Sequence, residues 1–179
     1  MLRAIAFSSV AILAACTTPA QGQPPATTQA AGPPVTATLV NNSGTEIGQV
    51  RFTPAPTGVL IRLTVNAGGL SPGWHGTHLH AVGDCSDPAK FEHAGSHIKA
   101  NGTNHGLLYA SGPENGDLPN LWAASDGSAS AEMFTNLTSL REMQDADGSG
   151  FVIHAGPDDH MTQPTGNSGD RVACAALRS

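Results

Sequence analysis

From about residue 35 onward, apolar and polar side chains alternate in short runs separated by glycine, proline and asparagine. Alternation with a period of two predicts strands that have one buried face and one solvated face. Residues 59–65 (VLIRLTV) show it most clearly, and no long helical period interrupts the series. Such a series predicts an all-β antiparallel sandwich or barrel. The candidate strands are 36–40, 49–53, 59–65, 74–82, 121–124, 128–135, 150–154 and 171–177.

Two long stretches lack this alternation, residues 83–120 and 155–170, and both are rich in glycine, asparagine or proline. Long connections without regular structure in a compact domain are usually functional. Each of them follows a candidate strand that carries histidine. We therefore expect a functional site where these two loops fold over the sheet.

The first residues have the pattern of an export signal, with Arg3 before an apolar run that ends in Leu-Ala-Ala-Cys16. This run is too short to cross a bilayer. Its ending resembles a bacterial lipobox, which predicts a signal peptide at 1–15 and a lipid on Cys16. The alternative is an ordinary secretory signal with a cysteine near its cleavage site. Residues 16–34 carry no charge and predict a flexible tether before a folded domain at 35–179.

Cysteine and charge narrow the possibilities further. The chain has 179 residues and three cysteines, so a lipidated Cys16 leaves Cys85 and Cys174. In an oxidising compartment this even pair predicts a disulfide, with two free buried thiols as the alternative. The net charge is −6. Because the chain also has no basic patch, nucleic acid is not an expected partner.

Histidine is the residue type that points to chemistry, with eight in a chain that is only 12% charged. Residues i and i+2 of a strand face the same side, so His78 and His80 project together. His75 has the opposite parity and is expected to form hydrogen bonds inside the fold. Imidazole is the commonest metal-binding side chain. The pattern therefore predicts a metal site.

Several ordered motifs resemble those of the copper–zinc superoxide dismutases, and most closely their exported bacterial form, from about residue 35 to the C-terminus. The motifs are His75-Gly-Thr-His-Leu-His80, Ala94-Gly-Ser-His97, Asn104-His105-Gly106, Gly116-Asp117-Leu118 and Gly166-Asn-Ser-Gly-Asp-Arg171-Val-Ala-Cys174. The resemblance implies an eight-stranded antiparallel Greek-key barrel, like an immunoglobulin sandwich, with two long functional loops. It also implies copper and zinc as cofactors.

The resemblance assigns roles to matching positions. The implied copper ligands are His78, His80, His97 and His154. The implied zinc ligands are His97, which bridges the two metals, together with His105 and Asp117. Asp158 would link the two metal sites, Arg171 would guide the anionic substrate, and Cys85 would pair with Cys174.

One position departs from the family pattern. Glu114 stands where the family generally has a zinc-binding histidine, three residues before Asp117. Glutamate can bind zinc through oxygen, so Glu114 either completes the site or points to solvent and leaves zinc weak or absent. His93 or His160 could supply a nitrogen instead. The second long loop carries Asp158, Asp159 and Asp170 without a lysine, which predicts weak steering of anions.

The expected function is dismutation of superoxide to dioxygen and hydrogen peroxide, with Arg171 and His97 as catalytic residues. The alternative is an envelope copper-binding protein with little or no turnover, which Glu114 would favour. A purely structural envelope domain does not explain the complete copper set. We expect a monomer or homodimer in the bacterial periplasm or cell envelope, held to a membrane through Cys16.

Overall fold

The structure is a computed structural model that describes residues 32–100 and 103–178. The predicted signal peptide, the lipidation site Cys16 and most of the tether lie outside these residues. Within the described part, strand β1 begins at Val35. The strands are β1 Val35–Asn41, β2 Glu46–Ala55, β3 Gly58–Val65, β4 Gly73–His75, β5 Thr77–His80, β6 Leu121–Ala123, β7 Ala129–Thr135, β8 Ser149–His154 and β9 Arg171–Leu177. A 3-10 turn spans Glu92–Ala94, and helix α1 spans Leu140–Met143.

Seven strands form one antiparallel sheet in the order β5-β8-β9-β1-β2-β3-β7, and β4 pairs with β6 in a second small sheet. The sheet is curled like half of a barrel, so the all-β antiparallel prediction is confirmed. The crossover from β5 to β8 and β9 places these sequence-distant strands side by side. The two histidine-bearing strands, β5 and β8, are therefore neighbours.

The predicted strand 74–82 differs from the structure, because Gly76 divides it into β4 and β5. The Gly76 N–H donates to the Gly156 carbonyl at 2.8 Å, and the Gly76 carbonyl accepts from the His154 N–H at 2.9 Å. A Cβ atom at Gly76 would lie 2.9 Å from Cβ of Ser168. The break is thus made by close packing against the loop after β8, and it raises the predicted eight strands to nine in the described residues.

The core is formed by the buried faces of the strands. Alternate residues of β3, namely Val59, Ile61, Leu63 and Val65, are buried as their period predicts. Each apolar side chain of this size contributes about 1.5–3 kcal/mol when it leaves water. This packing makes the sheet a rigid support for the side chains at its edge.

The predicted disulfide is present. Cys85 and Cys174 are bonded across 89 residues of sequence, so the alternative of two free thiols is wrong. The bond attaches the first loop (residues 81–120) to β9, next to Arg171. A disulfide is typical of an exported protein. Among the described residues, no helix has the length and apolar character needed to cross a membrane.

Candidate metal centre

Strands β5 and β8 and the first loop bring four histidines together. His78 and His80 lie on β5, and His154 ends β8. The first loop returns beside β5, where the Ile98 N–H donates to the Leu79 carbonyl at 2.9 Å. This contact places His97 opposite His80 in an isolated bridge.

The four-imidazole cluster (His78, His80, His97, His154) offers one ring nitrogen per residue, all within 4.8 Å of one another. All four side chains are buried. Four of their nitrogens have no hydrogen-bond partner, and these are Nδ1 of His78 and Nε2 of His80, His97 and His154. Buried polar atoms are normally paired, because leaving one unpaired costs about 1–3 kcal/mol. Four unpaired lone pairs that converge on one point fit a bound ion.

The opposite ring nitrogens explain why these lone pairs face inward. Nδ1 of His80 donates to the Gly95 carbonyl at 2.9 Å. Nδ1 of His154 donates to the Gly169 carbonyl at 2.9 Å. Burial lowers the pKa of His78 to about 3 and that of His154 to about 4, and it holds the pKa of His80 well below its ordinary value. The rings are therefore neutral at pH 7 and available as ligands.

A second group shares His97 and forms the mixed cluster (His97, His105, Glu114, Asp117), whose ligand atoms also lie within 4.8 Å of one another. His97 Nδ1 donates to Glu114 Oε2 at 2.9 Å. His105 Nδ1 donates to Asp117 Oδ1 at 2.7 Å. The Glu114 side chain is buried and faces His97, so the alternative in which it points to solvent is wrong.

Protonation differs in this cluster. Burial by itself would lower the pKa of His105, but hydrogen bonds to Asp117 and Asp158 raise it to about 9. Burial would raise the pKa of Asp117, but hydrogen bonds with His105 and His97 hold it below its usual range. Here the N–H groups of His97 and His105 point at carboxylates, so protons lie where a metal ion would bind.

Asp158 connects the two clusters, because it accepts a hydrogen bond from one histidine of each. Its Oδ2 accepts from His78 Nε2 at 2.8 Å, and its Oδ1 accepts from His105 Nε2 at 3.1 Å. Burial opposes ionisation, yet these hydrogen bonds keep the pKa of Asp158 below its usual range. A Cβ atom on Gly166 would come within 1.5 Å of Oδ1, so only glycine leaves room for this carboxylate. Contacts of this kind set ring orientation and tautomer.

Arg171 begins β9 and is half-buried beside the four-imidazole cluster. Its Nη2 donates to the Gly95 carbonyl at 2.7 Å, and its Nη1 donates to the Phe91 carbonyl. The Gly95 carbonyl thus accepts from both Arg171 and His80. This shared acceptor fixes a permanent positive charge next to the imidazoles.

The remaining histidines lie outside the two clusters. The structural role predicted for His75 is confirmed, since its Nδ1 lies 2.6 Å from the His154 carbonyl and its Nε2 lies 2.8 Å from the Ser71 carbonyl. The His93 side chain is exposed and contacts Ser86. His160 lies against Asp158. Within the described residues, neither His93 nor His160 joins the mixed cluster.

The sequence prediction missed two amide side chains, Asn120 and Gln163. Asn120 forms hydrogen bonds with the backbone of Asp158, and Gln163 forms them with the backbone of His105. Neither residue lies in a motif with known chemistry. The only sequence signal is proximity, because Asn120 follows Asp117 by three positions and Gln163 follows Asp158 by five.

Comparison with known proteins places this geometry in a family. A family model described as copper/zinc superoxide dismutase (SODC) matches residues 46–177. A Cu-Zn superoxide dismutase of Caulobacter vibrioides is 46% identical over 150 residues, which cover 80% of this chain and 84% of that protein. Another from Aquifex aeolicus is 36% identical over 148 residues, which cover 79% of this chain and 85% of that protein.

Solved structures agree with the sequence match. A double mutant of a SOD-like protein from Bacillus subtilis superposes with a TM-score of 0.76 at 36% identity, over 80% of this chain and 97% of the other. The Cu/Zn superoxide dismutase of Brucella abortus superposes with a TM-score of 0.67 at 27% identity, over 80% of this chain and 99% of the other. The chain therefore belongs to the copper/zinc superoxide dismutase family.

Proposed function

We propose that this protein dismutates superoxide at a copper ion held by His78, His80, His97 and His154. In the reaction, two superoxide anions and two protons give one dioxygen and one hydrogen peroxide. The observation that carries the proposal is the set of four buried, unpaired ring nitrogens directed at one point. Imidazole nitrogen is a preferred ligand type for copper. When bound, copper supplies the one-electron oxidation and reduction that the reaction needs.

The mixed cluster supports a zinc site next to it. Two imidazoles and two carboxylates suit zinc, which binds nitrogen and oxygen ligands in tetrahedral sites. We assign His97, His105, Asp117 and Glu114 as its ligands. Lys99 Nζ lies 3.9 Å from Glu114 Oε1, so the lysine offsets part of the charge that glutamate adds. With its Oε1 next to Lys99, Glu114 has Oε2 left to face His97.

Two residues then act on the substrate and its protons. Arg171 binds the superoxide anion, because its guanidinium stays charged and is already held by two carbonyls. His97 presents Nε2 to the four-imidazole cluster and Nδ1 to the mixed cluster. When Nε2 of His97 is released from copper, it would take up a proton and pass it to the reduced oxygen species at that position.

The test loads the purified protein with copper, with and without zinc, and measures superoxide removal. His154→Ala should reduce activity to that of free copper, since it removes one of the four nitrogens. Arg171→Ala should lower the rate while copper remains bound. Arg62→Ala is the matched control, because Arg62 on β3 is exposed and pairs with Glu132 on the neighbouring strand β7, at the opposite end of the sheet from β5 and β8.

Copper binding with only free-ion activity, insensitive to Arg171→Ala, would contradict the proposal. That result would instead support the alternative of a copper-binding protein without turnover. The placement of Arg171 beside a complete imidazole set favours the enzyme. A protein that only stores copper has no need of an anion-binding guanidinium.

We further propose that the protein is a lipid-anchored envelope protein in the bacterial periplasm. The Leu-Ala-Ala-Cys16 motif supports the anchor, and the disulfide supports export. Labelling with a radioactive fatty acid should mark the wild type but not Cys16→Ser. Membrane-free wild type without label would contradict the anchor. We expect a monomer or a homodimer, which sedimentation of the detergent-free domain distinguishes.

A further inference from the structure

Two amide side chains cross between the loops that form the metal centre. Asn120 closes the first loop, and Gln163 lies in the second loop (residues 155–170). Asn120 Oδ1 accepts from the Asp158 N–H at 2.8 Å, and Asn120 Nδ2 donates to the Asp158 carbonyl at 2.8 Å. Both backbone polar groups of Asp158 are therefore held by one side chain from the opposite loop.

Gln163, in the second loop, holds the backbone of His105 in the first loop in the same way. Its Oε1 accepts from the His105 N–H at 3.1 Å, and its Nε2 donates to the His105 carbonyl at 2.7 Å. An amide side chain from each loop therefore holds the backbone of a metal-site residue in the other loop, Asp158 or His105. Only an amide side chain has a carbonyl acceptor and an N–H donor side by side, as a backbone peptide does.

Between the two amides lies the contact that links the metal sites. Asp158 Oδ1 accepts from His105 Nε2 at 3.1 Å, and this hydrogen bond turns His105 Nδ1 toward Asp117. The other oxygen of Asp158 accepts from His78 Nε2 at 2.8 Å and so leaves His78 Nδ1 unpaired. A shift of either backbone would misalign a ring nitrogen. Residues that orient ligands in this way are worth about 10–100-fold in metal affinity.

We propose that Asn120 and Gln163 are positioning residues that align the two metal sites before metal binds, an inference that rests on the proposed function. Gln163 holds the backbone of His105 and also donates to the Met161 carbonyl, so among the assigned ligands it holds only one of the zinc site and acts on that site alone. Asn120 holds Asp158, which contacts both His78 and His105, and acts on both sites. The two residues therefore have different expected signatures.

The experiment measures zinc affinity by competition with a chromogenic chelator, and the copper environment by electron paramagnetic resonance of the copper(II)-loaded protein. Gln163→Ala should weaken zinc binding about tenfold and leave the copper spectrum unchanged. Asn120→Ala should weaken zinc binding about 10–100-fold and also change the copper spectrum. Gln144→Ala is the matched control, because this amide donates to the Arg178 carbonyl outside both clusters.

Conservative variants keep the test decisive if an alanine variant fails to fold. Asn120→Asp and Gln163→Glu keep the acceptor and lose the donor, so each should show part of the effect of the alanine variant. Lower thermal stability with zinc affinity and copper spectrum both as in the wild type would overturn the inference. If the variants show these changes in zinc affinity and copper spectrum but the wild type has no dismutase activity, the inference stands and only the proposed function is contradicted.

Discussion

The two metal-binding clusters share His97 but are built in opposite ways. In the four-imidazole cluster each ring has an inward nitrogen without a hydrogen-bond partner, whereas in the mixed cluster the imidazoles donate N–H groups to carboxylates. Burial brings the pKa of His78 to about 3, while the carboxylates beside His105 raise its pKa to about 9. Neighbours, rather than residue type, decide the charge of a histidine. The inward ring nitrogens of the four-imidazole cluster are free to bind a metal ion, whereas the mixed cluster must release protons before it binds one.

The largest expected effect comes from the residue that both clusters share. His97→Ala should weaken copper and zinc binding together, each by more than about 100-fold, because losing a ligand exceeds the loss of an orienting contact. Superoxide removal should fall to the level of free copper. Metal content after gel filtration measures the binding. His93→Ala is the control, since this exposed histidine belongs to neither cluster, and full zinc retention by His97→Ala would contradict the shared-ligand geometry.

The next largest expected effect is a difference between the two clusters in how metal affinity depends on pH. Below pH 9, His105 of the metal-free protein holds a proton that zinc must displace, so zinc affinity should fall about tenfold per pH unit from 9 to 7. Copper affinity should change far less between pH 7 and 5, because the pKa values of His78 and His154 are about 3 and about 4. Chelator competition at each pH measures both slopes, and equal slopes would contradict the comparison.

The raised pKa of His105 also predicts a stability change in the metal-free protein. A folded-state pKa of about 9 against an ordinary 6.5 means that the folded protein binds the proton more tightly. This stabilisation is complete below pH 6.5 and is lost as the pH rises through 9. The thermal midpoint of the metal-free protein should therefore contain a falling contribution between pH 7 and 9.5. His105→Gln should remove that contribution.

Glu114 tests the chemistry of the mixed cluster with a smaller effect. Glu114→Gln keeps the size and removes the charge, so zinc binding should weaken about tenfold while copper binding stays unchanged. Glu114→His should retain zinc, because it supplies a third imidazole. Glu132→Gln is the control, since Glu132 is exposed on β7. Zinc affinity equal to that of the wild type in Glu114→Gln would show that the carboxylate is not a ligand.

Salt should have the smallest effect. Asp159 and Asp170 are exposed in the second loop, which has no lysine, so little attraction is available for salt to screen. Asp158, although in the same loop, is buried and hydrogen-bonded to histidines rather than facing solvent. Adding salt should raise kcat/KM or leave it within about twofold, whereas favourable steering is worth about 10–1000-fold. A steep fall with salt would contradict weak steering.

The sequence predicted the parts of the protein in which a local pattern determines the structure. Period-two alternation predicted the strands, and the parity of His78, His80 and His75 predicted which rings face the cluster. The sequence could not show that Gly76 interrupts its strand, because the cause is a loop that follows eighty residues later. Long-range contacts of this kind leave no periodic trace.

The mixed cluster shows the same limit. Glu114 was ambiguous from sequence, because a glutamate in a loop is usually solvated. The direction of its carboxylate depends on His97 and Lys99, which the fold brings near it. Asn120 and Gln163 were missed because their partners are backbone groups 38 and 58 residues away. A backbone group can be a partner whatever its residue type, so the sequence gives no sign of such a contact.

Anomalous X-ray diffraction at the copper edge, from crystals of the copper-loaded protein, tests directly whether the four imidazoles share one copper ion. We expect one dominant peak at bonding distance, about 2 Å as for metal–imidazole bonds, from His78 Nδ1 and from Nε2 of His80, His97 and His154. Copper held elsewhere, for instance at the exposed His93, with no peak among the four imidazoles, would contradict it.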